Sequence, residues 1–158
     1  MDTTETVHIT FVCTGNTCRS PMAEAIARQI IADKRTGHVT VGSAGTAAWP
    51  GAPASDGAME AAASVGLNLE SHSSTLLTQE VVASSGLLLC MDTHHLRRAQ
   101  ELGGAGHARL LTEMAGESGA VEDPFGGSRQ EYEATLNQLD RLVRAVLDAT
   151  ETVAKPGK

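Results

Sequence analysis

The sequence predicts an α/β fold: a small four-stranded, mostly parallel sheet with helices on both faces and an anion-binding loop after the first strand. Three observations predict it. Short apolar segments rich in Val, Ile and Leu alternate with helical patterns, as a parallel sheet covered on both faces requires. The first of them, VHITFVC, runs into a TGNT turn cluster and then directly into a helix pattern. No internal repeat or linker divides the 158 residues, a length suited to one core. One domain spanning 1–158 is therefore expected, with 1–6 and 153–158 frayed.

The elements follow in order. Residues 7–13 are short, β-branched and bounded by turn residues, hence a strand. Ser20 and Pro21 are suited to the N-cap and first position of a helix. Met22, Ala23, Ile26, Ala27 and Ile30 then recur at spacings of three and four, giving an apolar face to about residue 32. A second strand is expected at 39–42. Residues 49–55 carry two prolines and a glycine and form a loop; 58–63 are helical, with Gly66 as the stop. A short helix at 78–84 precedes GLLLCM (86–91), a fully apolar strand. Asp92 caps a helix running to about 102, and 108–111 form a fourth strand. A loop then reaches Gly127. From about 128 to 149 a long helix buries Tyr132, Leu136, Leu139, Leu142, Val143 and Val146.

Composition excludes several classes. A net charge of -7 argues against nucleic acid, whose phosphate backbone demands a basic surface. No signal-peptide pattern opens the chain, and no run of about 18 apolar residues predicts a membrane span. Three cysteines, an odd count, suit a reducing cytoplasm better than a disulfide framework.

The strand–loop–helix at FVCTGNTCRS favours an anion. Such a loop turns successive backbone N–H groups inward, and the helix N-terminus adds partial positive charge. Arg19 supplies a fork of donors matching two phosphate oxygens. Cys13 lies at the floor of this cup. A free thiol is only about 3% ionised at pH 7, and cations or helix N-termini promote its ionisation. One cup can thus both activate a thiol and hold its target. Gly15 allows close backbone approach, and Asn16 tolerates left-handed geometry. Taken singly, each residue has a plainer reading: Cys13 a core thiol, Arg19 a surface charge, Gly15-Asn16 a turn. Zinc fits poorly, since Cys13 and Cys18 are five apart with no second Cys/His pair at ligand spacing. A disulfide between them would close a tight loop.

Cys13-Thr14-Gly15-Asn16-Thr17-Cys18-Arg19-Ser20 resembles the C-x5-R-S loop of the low-molecular-weight protein phosphatases. The resemblance continues in Ser43-Ala44-Gly45, His72 and Asp123-Pro124-Phe125. It implies a phosphorylated protein as substrate, no cofactor or metal, and a monomer. Carried over, Cys13 attacks phosphorus to give a phosphocysteine. Arg19 and the loop amides hold the equatorial oxygens. Asp123 protonates the leaving group and then serves as base. Asn16, Ser20, Ser43 and His72 would form a supporting polar network. Cys18 matches a position able to form a reversible disulfide with the nucleophile. Cys90 reads as core, and His94 and His95 receive no role.

The substrate choice turns on few residues. Trp49, in SAGTAAWP, resembles the aromatic pocket wall of tyrosine-specific members. Thr17, where those members carry a bulkier aliphatic, and the Asp-Pro-Phe-Gly-Gly run at 123–127 resemble the bacterial protein-arginine phosphatases. Phosphoarginine is the favoured substrate and phosphotyrosine the alternative, with Thr17, Trp49 and Phe125 as the pocket wall. An arsenate reductase, which needs further cysteines, and a non-catalytic phosphate-binding module are the more remote readings.

Overall fold

The computed structural model describes residues 6–34 and 37–154. Four strands, β1 (Val7–Cys13), β2 (Val39–Gly45), β3 (Leu87–Cys90) and β4 (Ala108–Leu110), form one sheet in the order β2-β1-β3-β4. Every pairing in it is parallel. The chain leaves β1 for β2 on one side and returns to β3 on the other, so the carboxyl end of β1 is a topological switch point, where ligands of such sheets bind. Six α-helices connect and follow the strands: α1 (Arg19–Lys34), α2 (Asp56–Ser64), α3 (Gln79–Ser84), α4 (Thr93–Ala99), α5 (Leu111–Met114) and α6 (Arg129–Ala154).

Strand alternation divides the core. Ile9, Phe11 and Cys13 of β1 point to one face, where Met22, Ile26 and Ile30 of α1 and Leu136, Leu139 and Val143 of α6 cover them. Val12, Leu88 and Cys90 point to the other, under Val82 and Ala99. Burying each large aliphatic or aromatic side chain contributes roughly 1.5–3 kcal/mol. The face that carries Cys13 is therefore the heavily packed one.

The observed elements depart from expectation in several places. Helix α1 begins at Arg19, not after Ser20. The carbonyl of Cys18 takes the first helical amide, from Met22, at 3.2 Å. Ser20 is thus a helical residue whose hydroxyl is used elsewhere, and Pro21 lies third, still in the first turn, where no intrahelical N–H is needed. Strand β2 runs three residues past the expected end at Gly42, because full register with β1 carries it to Gly45 opposite Cys13. Asp92 caps α4 as expected, but α4 passes at Ala99 into a π-helical turn (Gln100–Gly104) with Gly103 at φ 106°. Leu111, expected to close β4, opens α5 instead. Ser128 and Glu131 exchange backbone and side-chain hydrogen bonds at 2.8 and 3.2 Å, a capping box that starts α6. The expected fraying at 1–6 and 153–158 lies mostly outside the described residues. Among those described, no helix is long and apolar enough to cross a membrane.

Candidate active site

The loop between β1 and α1 is held by its carbonyls. Thr46 N–H donates to Cys13 O and Ala47 N–H to Thr14 O, both at 2.9 Å. His72 Nε2 lies 2.7 Å from Asn16 O, and Ser55 N–H donates to Thr17 O at 2.9 Å. With these oxygens turned outward, no amide from Thr14 to Ser20 donates to a protein acceptor among the described residues. Asn16 makes the turn possible at φ 56°, the one non-glycine residue with positive φ among those described. Unpaired backbone N–H groups beside a helix N-terminus are the material of an anion-binding concavity.

Asn16 also organises the side chains. Its Nδ2 donates to Ser20 Oγ at 2.7 Å and to Ser43 Oγ at 2.9 Å, while its Oδ1 accepts from Thr75 N–H at 2.9 Å. Because Ser20 Oγ accepts from Asn16, its own proton is free to point at Cys13 Sγ, 2.9 Å away. Ser43 correspondingly donates onward to Glu24 Oε1 at 2.5 Å, and Glu24 is paired with Arg28. Ser43 and His72 therefore do meet the loop, each through Asn16.

Arg19 is 4% exposed. Its Nη1 donates to Val121 O at 2.9 Å and its Nη2 to Thr14 Oγ1 at 3.4 Å. Its Nε is buried with no hydrogen-bond partner. Asp123 Oδ2 approaches Nη2 at 3.6 Å. The Asp123 loop is itself anchored: Val121 N–H donates to Met91 O at 2.9 Å, and Asp123 Oδ1 accepts from Phe125 N–H at 3.1 Å. The result is a cavity of about 260 Å³ lined by Cys13, Thr14, Gly15, Thr17, Cys18, Arg19, Asp123 and Phe125. Trp49 is not in this lining; it stands 82% exposed on the loop after β2. A larger groove of about 460 Å³ passes Glu24, Ser43 and His72 behind the loop. No cysteine lines it.

All three cysteines are free thiols. Cys18 Sγ lies 3.1 Å from Ser55 Oγ and 3.6 Å from Tyr132 Oη. Cys90 is buried in β3, and burial pushes its thiol up to about 12.

Sequence reasoning missed four contributors. His95, given no role, is fully buried with Nε2 2.8 Å from Thr14 Oγ1. Tyr132, which its spacing places in the core, also brings its hydroxyl to the Cys18 side of the loop. Glu24 and Thr75 close the Asn16 network. A signal for His95 did exist: Asp92 caps a helix starting at the carboxyl end of the strand beside β1, so its first turn must lie next to the loop.

The profile of the family described as "Low molecular weight phosphotyrosine protein phosphatase" matches residues 8–157. The chain belongs to this family of protein phosphatases. A protein-arginine-phosphatase of Bacillus subtilis is 40% identical over 139 residues, 86% of this chain and 91% of that protein. The low molecular weight protein-tyrosine-phosphatase PtpB of Staphylococcus haemolyticus is 38% identical over 138 residues, covering 87% and 95%. Among solved structures, a YwlE mutant from Bacillus subtilis superposes with a TM-score of 0.86 at 38% identity, covering 92% of this chain and 99% of that one.

Proposed function

We propose that this phosphatase hydrolyses phosphorylated protein side chains through a phosphocysteine on Cys13, with phosphoarginine as the preferred substrate. The observation that carries the mechanism is the set of unpaired donors, the amides of residues 14–20 and Arg19 Nε, gathered where Cys13 Sγ and Asp123 line one cavity. Buried donors without partners are costly, and a phosphoryl group's three oxygens match them. Sγ attacks phosphorus as the P–N or P–O bond of the substrate breaks, and the Asp123 carboxyl gives its proton to the leaving atom. Water then attacks the phosphocysteine, Asp123 takes a proton from it, and phosphate leaves with Cys13 as thiolate. Preorganised donors of this kind are the largest catalytic contribution in many enzymes. Asn16, Ser20, Ser43 and His72 hold the loop in register for that step.

Phosphoarginine is supported by Thr17, which lines the cavity and offers a hydroxyl to the bridging nitrogen or an intermediate oxygen, as no aliphatic residue can. The Phe125-Gly126-Gly127 segment supports it too, carrying one exposed aromatic and no second. The Bacillus subtilis relative's name points the same way. The phosphotyrosine alternative draws on the Staphylococcus haemolyticus relative's name and on Trp49, an exposed aromatic on a loop bonded to the site through Thr46 and Ala47. An arsenate reductase would need Cys90 as a further reactive thiol, and its buried position in the sheet opposes that.

Turnover of phosphoarginine and phosphotyrosine peptides by wild type, Thr17→Ile and Cys13→Ser tests the proposal. Wild type should prefer phosphoarginine, and Thr17→Ile should lose that activity while keeping or gaining phosphotyrosine turnover. A strong wild-type preference for phosphotyrosine refutes the specificity; activity in Cys13→Ser refutes the mechanism.

A further inference from the structure

We infer that Thr14 is an additional phosphoryl-contacting residue, its hydroxyl proton aimed into the cavity because His95 and Arg19 occupy the oxygen's two lone pairs, with His95 as a positioning residue. The inference rests on the phosphocysteine reading above and extends it to two residues outside the supporting network.

A threonine hydroxyl has one proton and two lone pairs. Arg19 Nη2 has no lone pair to offer, so at 3.4 Å it can only donate to Thr14 Oγ1. His95 Nε2 stands 2.8 Å from the same oxygen. The imidazole is fully buried. Burial, the adjacent His94 ring at 3.9 Å between centroids and the Arg19 charge hold it down at about 3, against a smaller opposing pull from Asp92. It is therefore neutral and carries one N–H. Its Nδ1 is buried without a partner. If the proton sat there, a buried N–H donor would be orphaned; if it sits on Nε2, only a lone pair is. Orphaned buried N–H groups are the rarer case, so Nε2–H donates to Thr14. Both lone pairs of Oγ1 are then used, and its O–H must find an acceptor elsewhere. Thr14 lines the cavity beside Cys13, where the phosphoryl oxygens arrive. The same logic aims Ser20 at the sulfur, with Asn16 in the place of His95. Each hydroxyl is turned by a donor behind it.

The test is a double-mutant cycle on Thr14→Val and His95→Leu, reading kcat, KM and the inhibition constant of inorganic phosphate, with melting temperature recorded. Removing one preorganised donor typically costs about 10²–10³ in kcat; sharing the phosphoryl charge with several amides places Thr14→Val nearer 30-fold, with a weaker phosphate constant. Thr14→Ser keeps the hydroxyl and should restore most of the rate. His95→Leu should cost about tenfold in the wild-type background and almost nothing after Thr14→Val, since its effect runs through that hydroxyl. His95→Gln, which retains an N–H and most of the volume, gives the same comparison if the leucine variant fails to fold. Wild-type kcat and phosphate inhibition in Thr14→Val overturn the inference, as does an equal cost of the His95 substitution in both backgrounds. If Cys13→Ser is inactive while Thr14→Val is unimpaired, only this inference falls. If Cys13→Ser is active, the reading beneath it falls.

Discussion

Gly45→Ala adds one methyl group where the backbone of the Cys13–Arg19 loop already lies. Gly45 ends β2 directly opposite Cys13 in the parallel register. A Cβ there would stand 2.4 Å from the Thr14 carbonyl oxygen, 2.8 Å from Asn16 N and 3.0 Å from Ala48 Cβ. Carbon and oxygen in contact need more than 3 Å, so Thr14 or Gly45 must shift by somewhat under about 1 Å. Neither is free to do so. Thr14 O accepts from Ala47 N–H at 2.9 Å, and Gly45 is bonded on both sides, its N–H to Thr75 O at 2.9 Å and its carbonyl to Leu77 N–H at 2.8 Å. Overpacking of this kind costs about 1–3 kcal/mol, which for a domain of this size lowers Tm by roughly 3–10 °C. Activity should suffer more than stability, because a shift of about 1 Å at a reacting group can cost 10²-fold in rate. Thermal melts and kcat/KM on an aryl phosphate measure both, with Gly106→Ala, whose Cβ meets nothing within 4 Å, as the neutral control. A Gly45→Ala enzyme with control-like Tm and kcat/KM would show that the loop yields freely and that its carbonyl anchoring has been overrated.

Three further outcomes are expected. Asn16→Ala should be less stable than Asn16→Gly by about 1 kcal/mol, because both lose the amide contacts but only alanine pays for φ 56°; equal denaturant midpoints would contradict this. His95 sits at about 3 against an ordinary value of 6.5, so between those pH values the unfolded chain binds the proton and the folded one does not. That share of stability is complete above 6.5 and is lost as pH falls toward 3, with a ceiling of about 5 kcal/mol; His95→Gln should flatten the acid limb of a pH–stability curve, and an unchanged limb rejects the assignment. Gly57→Ala would drive a methyl to within 2.3–2.6 Å of the Tyr132 ring and should cost about 1–3 kcal/mol in urea unfolding, whereas Tyr132→Phe, which removes long contacts to Ser55 Oγ and Cys18 Sγ at 3.4 and 3.6 Å and a hydrogen bond from the Gly126 backbone, should cost about 1 kcal/mol.

Most of the fold was legible in residue patterns. VHITFVC is apolar and β-branched, GLLLCM is uniformly apolar, and the three-and-four spacing of Met22 to Ile30 and of Tyr132 to Val146 names the faces that are in fact buried. Boundaries set by partners rather than by pattern were not legible. Ser20 has the residue type of an N-cap, yet Asn16 and Cys13 claim its hydroxyl. VTVGSAG contains two glycines, and only pairing along the whole of β1 extends it as a strand.

By itself the sequence determined that Cys13 and Arg19 would flank one loop between a strand and a helix, because a β-branched apolar run ends at Cys13 and a three-and-four apolar pattern begins at Met22. It determined the parallel class of the sheet through its alternation of apolar segments with helices. Only the tertiary structure decided what stands behind that loop. Thr46, Ala47, Ser55, His72 and Thr75 take up backbone and side-chain groups of residues 13–17, and His95, 81 residues beyond Thr14, turns its hydroxyl. Contacts across such separations follow from which strand ends the sheet order brings together, and no spacing along the chain encodes that order.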